Sequence, residues 1–573
     1  MTRLITILVL IPTLCFGQWN QLGEDIDGQA ANEESGSTTS MNATGTTVII
    51  SAPRAMDAGI MKGKVRVYEW GGGDWFQKGS DIVGTSQGDI FGDAVSISAN
   101  GNIIAVGAPG FLNPSFPPGY ARVYEWNGTS WIQKGTDIIG ESTGDNCGGS
   151  VSLSDDGNTI AVGAYTNNGG GAAAGHCRVF AWNGSSWVQK GADIDGEAGN
   201  DFCGNSVSIG ASGNIVAVGA AGHDGGGNGL GQIRVFEWNG SNWIQKGADV
   251  FGTSIVRGYG SELSLSDDGT TFIGSGYTSS NGSIGHIKMH NWNGTSWVQK
   301  GAILSGDGGS DFFGNASVDI NGDGSMVIAG GLSTGGSGYA KVFDFIGGAW
   351  VQQGPNIQGE ASGDQFGRSV SINSDGSIIA IGTPFNDGNG TNAGHVRVFQ
   401  DASALPITLE YFAGNYSNNA AILNWKVENQ INFSHFVVEK SLDGTVFNGL
   451  KNIKLTDSEF YNHKDTDLNK YSILYYRLKM VDNDGTFSYS NIVSIRTNGK
   501  NVVGISPNPS AAIFTLTGVK DIEDETFTIM NSVGQTMPVV IQNNGQFDLS
   551  PFPSGIYYLR IASSGQVMKL VKE

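Results

Sequence analysis

The sequence is poor in charge, especially positive charge, and in long apolar segments. Only 15% of its 573 residues are charged, and 53 acidic residues against 32 basic ones give a formal net charge of -21. No basic stripe is present, which argues against nucleic acid as a partner. Beyond the N-terminus no segment is long and apolar enough for a membrane helix, so no transmembrane segment is predicted. The sequence also lacks a Ser-His-Asp order, a metal-binding His pair and a phosphate-binding loop.

The one apolar run of note is at the N-terminus. Residues 1–17 contain Arg3, an apolar run at 4–14 and the small Gly17, which is the pattern of a cleaved signal peptide. The run is too short to span a bilayer. A lipoprotein signal at Cys15 is the alternative, although Leu14 directly before it is a poor match.

What the sequence does contain is a repeat. A Trp-x-Gln-x-Gly unit recurs at steps of 53 to 56 residues, starting at Trp19, Trp75, Trp131, Trp187, Trp243, Trp297 and Trp350. Each unit has four short β-prone segments, as at 91–98, 103–109, 121–126 and 131–135. The 89 glycines lie mostly in the turns between such segments, which is typical of an all-β protein. The period is too long for one coil of a β-helix and is typical of a four-stranded propeller blade.

The repeat predicts a ring of seven blades. First, second and third strands each occur seven times, but no fourth strand follows Phe399, and its seventh copy is at 19–23 instead. A last blade that takes one strand from the N-terminal side would close the ring. Side-chain size agrees, since the first two strands carry small residues and 12 of the 13 tryptophans fall in the third and fourth. Sheets that splay outward from an axis need this gradient.

The first two strands also carry a motif. Phe91-Gly92 opens a first strand and 107–109, Gly-Ala-Pro, closes the next, while Phe-Gly recurs at 313–314 and 366–367. Residues 18–400 therefore resemble the FG-GAP repeats of integrin α-chain propellers and their bacterial relatives. The resemblance implies a seven-bladed β-propeller whose ligand face carries the loops into the first strands and those between second and third strands. It does not specify a function, because this fold hosts enzymes, receptors and scaffolds.

Two further β-rich modules are predicted. After a linker at 401–406, residues 407–496 have about seven alternating strands around Trp425, which predicts a β-sandwich. Segments 439–444 and 476–485 resemble a fibronectin-type-III-like module, which implies a spacer.

After a second linker at 497–501, residues 502–573 are predicted to form a small C-terminal β-sandwich. Its motifs at 506–509, 530–535 and 553–560 resemble the C-terminal sorting domain of the type IX secretion system. That resemblance implies export through the periplasm, contact with the secretion machinery, and secretion or attachment to the outer cell surface. An ordinary small sandwich is the alternative.

One turn holds candidate metal ligands. Asp319, Asn321 and Asp323 offer oxygens at alternate positions before Gly324, as at the start of a calcium loop. By resemblance, integrin-like propellers hold calcium in this turn between first and second strands. Val327 at the ninth position and the missing acidic twelfth ligand argue against calcium, and the equivalent turns of other blades need Asp and Gly only for backbone geometry. Calcium is the one cofactor that the sequence suggests.

Other polar residues have both a structural and a functional explanation. An Asp before the first strand would either cap its own loop or offer a carboxylate to a cation or sugar; it occurs at Asp89, Asp145, Asp201, Asp311 and Asp364. Acids that break the repeat would serve a glycosidase only if two of them faced each other; these are Glu33, Glu34, Asp57 and Glu262. His176, His286 and His395 begin third strands of different blades, so they cannot converge on one substrate atom.

Three cysteines remain in the mature chain, Cys147, Cys177 and Cys203. Cys147 and Cys203 occupy the same position in adjacent repeats, so a disulfide between them is conceivable in an oxidising compartment. The alternative is that both are small buried side chains in the place of Phe, and an odd number cannot pair completely.

The most variable parts are the connections between second and third strands. They are long, Gly-rich and unlike one another at 109–119, 165–175, 221–231 and 384–394, as recognition loops on a constant scaffold are. The sequence predicts a non-enzymatic, exported surface protein that binds an extracellular polysaccharide or protein through these loops. The alternatives are a secreted carbohydrate-active hydrolase or lyase with axial carboxylates, and a structural surface protein.

Overall fold

The structure, a computed structural model, describes residues 19–110, 113, 115, 117–225, 229–277, 284–332, 335–401, 408–428, 433–454, 456, 458–468, 473–482, 487–497, 503–517, 522, 525–562 and 565–573. The predicted signal peptide at 1–17 lies outside these residues. Among them there are β-strands and no α-helix, which confirms the all-β fold class. A helix fit to cross a membrane is accordingly not found in this part of the chain. The chain divides into two compact units, Met1–Ala404 and Leu405–Glu573.

The described part of the first unit contains seven five-stranded antiparallel sheets, called blades 1 to 7 below. In the order first to fifth, the strands of blades 1 to 4 are Thr39–Met41, Thr47–Ala52, Lys64–Trp70, Trp75–Gln77 and Ile82–Val83; Val95–Ile97, Ile103–Ala108, Tyr120–Trp126, Trp131–Gln133 and Ile138–Ile139; Cys147–Leu153, Thr159–Ala164, His176–Trp182, Trp187–Gln189 and Ile194–Asp195; Cys203–Ile209, Ile215–Ala220, Gln232–Trp238, Trp243–Gln245 and Val250–Phe251.

Blades 5 to 7 follow the same order. Their strands are Leu263–Leu265, Thr271–Tyr277, Gly285–Trp292, Trp297–Gln299 and Leu304–Ser305; Val318–Ile320, Met326–Gly331, Tyr339–Ile346, Ala349–Gln352 and Ile357–Gln358; Ser369–Ile372, Ile378–Thr383, His395–Asp401, Trp19–Gln21 and Ile26–Asp27. Blade 1 also has a hairpin, Met56–Asp57 with Ile60–Met61, between its second and third strands.

Each blade has one strand more than the four that the repeat predicts. The fourth strand has only three or four residues and pairs with the end of the third, as Trp131 does with Trp126. The start of the third strand would be left unpaired on this side, so the chain continues in the same direction after an irregular segment and adds a two-residue fifth strand there, where Ile139 pairs with Tyr120. This strand is too short for a sequence pattern to predict.

The ring closes where the repeat predicts. In blade 7, Trp19, Asn20 and Gln21 pair antiparallel with Asp401, Gln400 and Phe399. The N-terminal strand therefore completes a blade whose other long strands come from the end of the unit, which satisfies the edge of strand His395–Asp401.

Neighbouring blades contact each other along the whole ring. In the first strands of blades 2, 3, 4 and 7 a Ser hydroxyl accepts a hydrogen bond from the next blade, as Ser96 Oγ does from Leu153 N at 3.0 Å. In the fourth strands of blades 1 to 6 a Trp indole donates to the preceding blade, as Trp131 Nε1 does to Lys78 O at 2.7 Å. The apolar cores lie between these contacts, each built from strands of two adjacent blades. The repeat of 53 to 56 residues is thus a repeat of blade-to-blade contacts.

The second unit contains two β-sandwich modules. In the first, strands Thr408–Ser417, Ala420–Glu428 and Phe460–Asp465 form one sheet and Asn448–Lys454, Phe433–Ser441, Ile473–Asp482, Phe487–Tyr489 and Val493–Arg496 form the other. Trp425 is fully buried in its core, as predicted. In the second, Gly504–Ser506, Ile513–Thr517 and Gln546–Asp548 form one sheet and Thr536–Met537, Phe527–Asn531, Gly555–Ile561 and Val567–Lys572 the other. The fibronectin-like assignment of the first module stays a prediction.

Candidate functional site

All seven blades contribute to one cavity on the axis of the ring. Its lining comes from the starts of the first strands, at the residues that follow the Phe-Gly, Tyr-Gly or Cys-Gly pair. This axial cavity has a volume of about 420 Å³. Most of the lining is small or hydroxylated, as with Ser150 of blade 3, Ser206 of blade 4 and Ser317 of blade 6. Volumes of this size are typical of small-ligand sites.

Two acidic side chains and one basic side chain break that pattern. Asp93 of blade 2, Glu262 of blade 5 and Arg368 of blade 7 all line the axial cavity. Asp93 and Arg368 occupy the same repeat position, directly after the Gly, where other blades carry Ser, Gly or Asn. Within the described part of the chain none of the three side chains forms a hydrogen bond or an ion pair. Their polar atoms are therefore available to a ligand.

The two carboxyl groups differ in their protonation. Burial raises the pKa of Asp93 to about 6, and the positive charge of Arg368 opposes that rise. Burial raises the pKa of Glu262 to about 8, with Arg368 again lowering it and the charge of Asp93 raising it. At neutral pH the cavity therefore holds a mostly ionised Asp93, a mostly protonated Glu262 and the guanidinium of Arg368.

A second cavity of about 520 Å³ continues the axial cavity toward the loops. The two share Asp93 and Arg368, and the second one has an apolar wall. That wall comes from connections between second and third strands, with Pro53, Leu332 and Phe385. It also comes from the loops into first strands, with Ile90, Phe312 and Gln365. The two loop classes predicted to share a face thus line this second cavity, the rim cavity.

The rim is held in a strained backbone conformation. Ile90 has a φ of 55° and Phe312 one of 51°, in the left-handed region that β-branched and bulky residues avoid. The preceding Asp keeps the loop in this shape, because Asp89 Oδ2 accepts a hydrogen bond from Ser86 N at 2.8 Å. At the outer edge Glu34 and Arg54 form an ion pair of 3.0 Å. These contacts preorganise the walls of the rim cavity.

The Asp residues before the first strands cap their own loops, which is the structural one of the two predicted alternatives. Each accepts a backbone N–H of its own loop, at distances of 2.7 to 3.2 Å. This is the case for Asp89, Asp145, Asp201, Asp311 and Asp364.

The repeat-breaking acids fall into two groups. Glu33 is buried against Arg66 at 2.7 Å, and Asp57 pairs with Lys62 at 2.8 Å. Glu34 and Glu262 line the rim cavity and the axial cavity, respectively. The structure thus brings Glu262 together with Asp93, which the sequence analysis did not single out.

The predicted calcium ligands are all hydrogen-bond acceptors. Asp319 accepts from Ser264 Oγ at 2.7 Å and from Ile372 N at 2.9 Å, so its carboxylate joins blade 6 to blades 5 and 7. Burial raises its pKa. Asn321 Oδ1 accepts from Met326 N, and Asp323 Oδ1 accepts from Ser325 N, both at 2.8 Å. Asp319 thus serves contacts between blades, whereas the other two shape the turn. Calcium at these residues stays a prediction.

The three cysteines are free thiols. Cys147 and Cys203 lie in two different cores between blades, each in the place that Phe91 takes in blade 2. Burial raises the pKa of both thiols to about 11. Cys147 and Cys203 are therefore small buried side chains in the place of Phe and do not form a disulfide.

Asp93 and Arg368 were missed by the sequence analysis, although a signal for them exists. The position after Phe-Gly is Ser37, Asp93, Gly149, Asn205, Ser261, Asn315 and Arg368 in blades 1 to 7. Comparing this one position across the repeats shows one acid and one base among small neutral residues. A repeat pattern is defined by the residues that the blades share, whereas the charged groups of the axial cavity lie at a position where the blades differ.

Two segments of the chain match family models. Residues 358–399 match the FG-GAP repeat, and residues 504–573 match the secretion system C-terminal sorting domain. The resemblances to the FG-GAP repeat and to the sorting domain are thereby confirmed, and the sorting domain indicates export by the type IX system, with secretion or attachment to the cell surface. No curated protein matches the chain.

Solved propeller structures are similar to the chain at low identity. A protein of Bacteroides fragilis described as a 6-phosphogluconolactonase is 11% identical, with 74% of this chain and 99% of that chain covered and a TM-score of 0.40. The periplasmic gluconolactonase of Pseudomonas aeruginosa is 13% identical, with 70% and 95% covered and a TM-score of 0.39. The β-propeller domain of the trilobed protease of Pyrococcus furiosus is 10% identical, with 64% and 91% covered and a TM-score of 0.35.

Proposed function

We propose that this exported protein binds a carbohydrate outside the cell, with the ligand in the axial cavity and the rim cavity of the propeller. One observation carries the proposal. Residues from all seven blades meet in a single cavity, and the three that break the repeat, Asp93, Glu262 and Arg368, have no partner in the described structure. The sorting domain supports a site of action beyond the periplasm.

The chemistry of the two cavities suits a sugar. Hydroxyl groups both donate and accept hydrogen bonds, and the axial cavity offers acceptors at Asp93 and a guanidinium donor at Arg368. Protonated Glu262 adds a hydroxyl donor at neutral pH. In the rim cavity, Phe385 and Pro53 present flat apolar surfaces on which the C–H face of a sugar ring packs.

The size and charge narrow the ligand further. Together the cavities accommodate a short oligosaccharide, or the end or a branch of a polysaccharide, rather than a folded protein domain. Arg368 favours sugars that carry a carboxylate or sulfate, because its planar guanidinium binds such groups through two hydrogen bonds. We therefore expect acidic glycans to bind more tightly than neutral ones.

The experiment is a glycan array probed with the full mature chain. The Arg368→Gln variant is expected to lose at least tenfold in affinity for the acidic glycans, since a charge-assisted hydrogen bond contributes about 1.5–3 kcal/mol. Glu125→Gln is the matched control, because Glu125 is an exposed side chain on the outer part of blade 2. Binding that Arg368→Gln leaves intact would move the site away from the axis. An array without any bound glycan would favour a structural surface protein.

A second candidate is a secreted hydrolase or lyase that uses Asp93 and Glu262. The observation that favours it is their pKa difference, with one carboxyl ionised and one protonated in the same cavity, as base and acid catalysis at a glycosidic bond require. Incubation of the bound glycans with the protein, followed by mass spectrometry, tests for cleavage. Asp93→Asn and Glu262→Gln should then keep binding and abolish product. Intact glycans after incubation with the native protein would leave binding as the function.

A further inference from the structure

Blade 3 holds a histidine whose ring nitrogens have no partner. His176, the first residue of the third strand, is fully buried, and neither Nδ1 nor Nε2 has a hydrogen-bond partner in the described structure. Nδ1 lies 3.5 Å from Asp193 Oδ2 and 4.0 Å from Asp195 Oδ1. Ligand atoms of His176, Asp193 and Glu141 all lie within 4.8 Å of one another. An unpartnered imidazole thus faces a group of carboxylates.

Blade 7 repeats this arrangement. His395 begins the third strand there, is buried, and has no partner for Nε2. Its Nδ1 lies 3.3 Å from Asp25 Oδ2 and 3.9 Å from Asp27 Oδ1, and the three residues again lie within 4.8 Å of one another. Glu360, in the loop equivalent to that of Glu141, acts electrostatically on His395.

The strand pairing explains why the two clusters agree. In blade 3, His176 is directly opposite Asp195 of the fifth strand, and in blade 7, His395 is directly opposite Asp27. The other carboxylates, Asp193 and Asp25, come two residues earlier, which places them on the same side of the strand.

The acid opposite the histidine is a departure from the repeat. The residues that pair across these two strands in the other blades are Lys64 with Val83, Tyr120 with Ile139, Gln232 with Phe251, His286 with Ser305 and Tyr339 with Gln358. Only in blades 3 and 7 is this residue of the fifth strand a carboxylate, and in both blades it lies opposite a buried histidine. Blade 5 has the histidine without the acids, and His286 Nδ1 is hydrogen-bonded to Ser305 Oγ at 2.8 Å.

The separations suit a shared ion better than a direct hydrogen bond. A good N–H to carboxylate hydrogen bond is about 2.7–2.9 Å long. Two ligands that are each about 2.0–2.1 Å from a tetrahedral zinc ion are roughly 3.4 Å apart. The distances of 3.5 Å in blade 3 and 3.3 Å in blade 7 are close to that separation.

We propose that blades 3 and 7 each hold a divalent transition-metal ion, with zinc as the best fit. His176, Asp193 and Glu141 would be the ligands in blade 3, and His395, Asp25 and Asp27 those in blade 7. One imidazole nitrogen and two carboxylate oxygens leave one tetrahedral position for water. These sites are separate from the axial cavity, and they are not the turn of Asp319, Asn321 and Asp323.

The local charge agrees with a cation. Each cluster has three carboxylates near one guanidinium. These are Glu141, Asp193 and Asp195 with Arg178 in blade 3, and Asp25, Asp27 and Glu360 with Arg397 in blade 7.

The test is zinc stoichiometry on the full, tag-free mature chain. After equilibrium dialysis against micromolar Zn²⁺ at neutral pH, elemental analysis should find two equivalents per chain. Asp193→Asn and Asp25→Asn should each reduce this to one, and the double variant to none. Bound Co²⁺ should show the absorption bands of tetrahedral coordination, at half intensity in each single variant.

Two matched controls separate ligand loss from damage to the fold. Asp249→Asn changes the equivalent carboxylate of blade 4. Asp249 accepts a hydrogen bond from Gln245, as Asp193 does from Gln189 and Asp25 from Gln21, but blade 4 has Gln232 in the place of the histidine. His286→Gln changes the blade 5 histidine that lacks the acids. Both should keep two equivalents. Less than one equivalent in the native chain, or a stoichiometry that Asp193→Asn and Asp25→Asn leave unchanged, would overturn the proposal.

Discussion

The indole nitrogen of Trp187 donates a hydrogen bond to the backbone oxygen of Lys134, 2.7 Å away in the preceding blade. The same bond joins Trp75, Trp131, Trp243, Trp297 and Trp350 to the blade before each of them. Trp19, in the closing strand, is the exception, because its Nε1 is buried without a partner in the described structure. The repeated Trp therefore joins neighbouring blades through a hydrogen bond, and Trp19 lacks that bond.

This difference predicts unequal effects of the same substitution. Trp187→Phe should lower the free energy of unfolding by about 1–2 kcal/mol, since it removes a hydrogen bond between blades and part of a packed ring. Trp19→Phe removes a similar volume but no hydrogen bond, and should cost about 1 kcal/mol less. Urea unfolding followed by tryptophan fluorescence measures both. Equal losses would show that packing alone is responsible.

Two adjacent acids in blade 1 should differ in the same assay. Glu33 and Arg66 form a pair in which both side chains are only 3% exposed, so Glu33→Gln leaves a buried guanidinium partly unpaired and should cost about 3 kcal/mol. Arg54, the partner of Glu34, is 52% exposed, so Glu34→Gln should cost less than about 1 kcal/mol. Similar values for the two variants would contradict the buried pair.

The architecture was predictable because its signals are local and repeated. The Trp-x-Gln-x-Gly marker and the Phe-Gly pair follow from contacts that several blades make in the same way, and the missing fourth strand after Phe399 follows from the closure of the ring. The sorting domain was predictable for a similar reason, since each of its motifs is one uninterrupted stretch of sequence.

The candidate site was not predictable from the same signals. Asp93, Glu262 and Arg368 are far apart in sequence, and only the closed ring turns three unrelated positions into one cavity. The two proposed metal-binding clusters could not be predicted from the sequence for a second reason. The strand Ile194–Asp195 is only two residues long, and its pairing with His176 follows an irregular segment after the fourth strand that no periodicity marks. The sequence analysis could state that the histidines do not converge, but not that His176 and His395 each lie close to carboxylates.

The calcium prediction at Asp319, Asn321 and Asp323 can be tested by thermal unfolding. An ion that binds only the folded state raises the midpoint of thermal unfolding, so millimolar calcium should raise it relative to a chelator. Asp323→Asn removes one carboxylate ligand of the predicted site and should abolish that rise. The substitution leaves the contacts of Asp319 between blades intact, because Asp323 lies in the exposed turn. Ser374-Asp375 of blade 7 provides the control variant Asp375→Asn. An identical midpoint with and without calcium would remove calcium from this turn.

The carboxyl groups of the axial cavity should give the fold a distinctive pH dependence. Glu262 has a pKa of about 8 in the folded protein against 4.5 as its ordinary value. Between these values the folded state binds more protons than the unfolded state, so the contribution of Glu262 to stability falls as pH rises from 4.5 to 8. Glu262→Gln has no proton to lose. Its unfolding free energy relative to the native protein should therefore rise by about 1–2 kcal/mol from pH 5 to pH 9, reduced by the partial exposure of the side chain.

Asp93→Asn should show the same gain in a lower window, because the pKa of Asp93 is about 6 against an ordinary 3.8. Its gain should be complete near pH 7, whereas that of Glu262→Gln continues to about pH 8 or above. Glu125→Gln, on the exposed outer part of blade 2, should show no such slope. Urea titrations at five pH values distinguish the three variants. A gain for Glu262→Gln that ends near pH 5 would mean that its carboxyl is ionised at neutral pH, and the acid role proposed for it in a hydrolase would be lost, while the binding role of Arg368 would be unaffected.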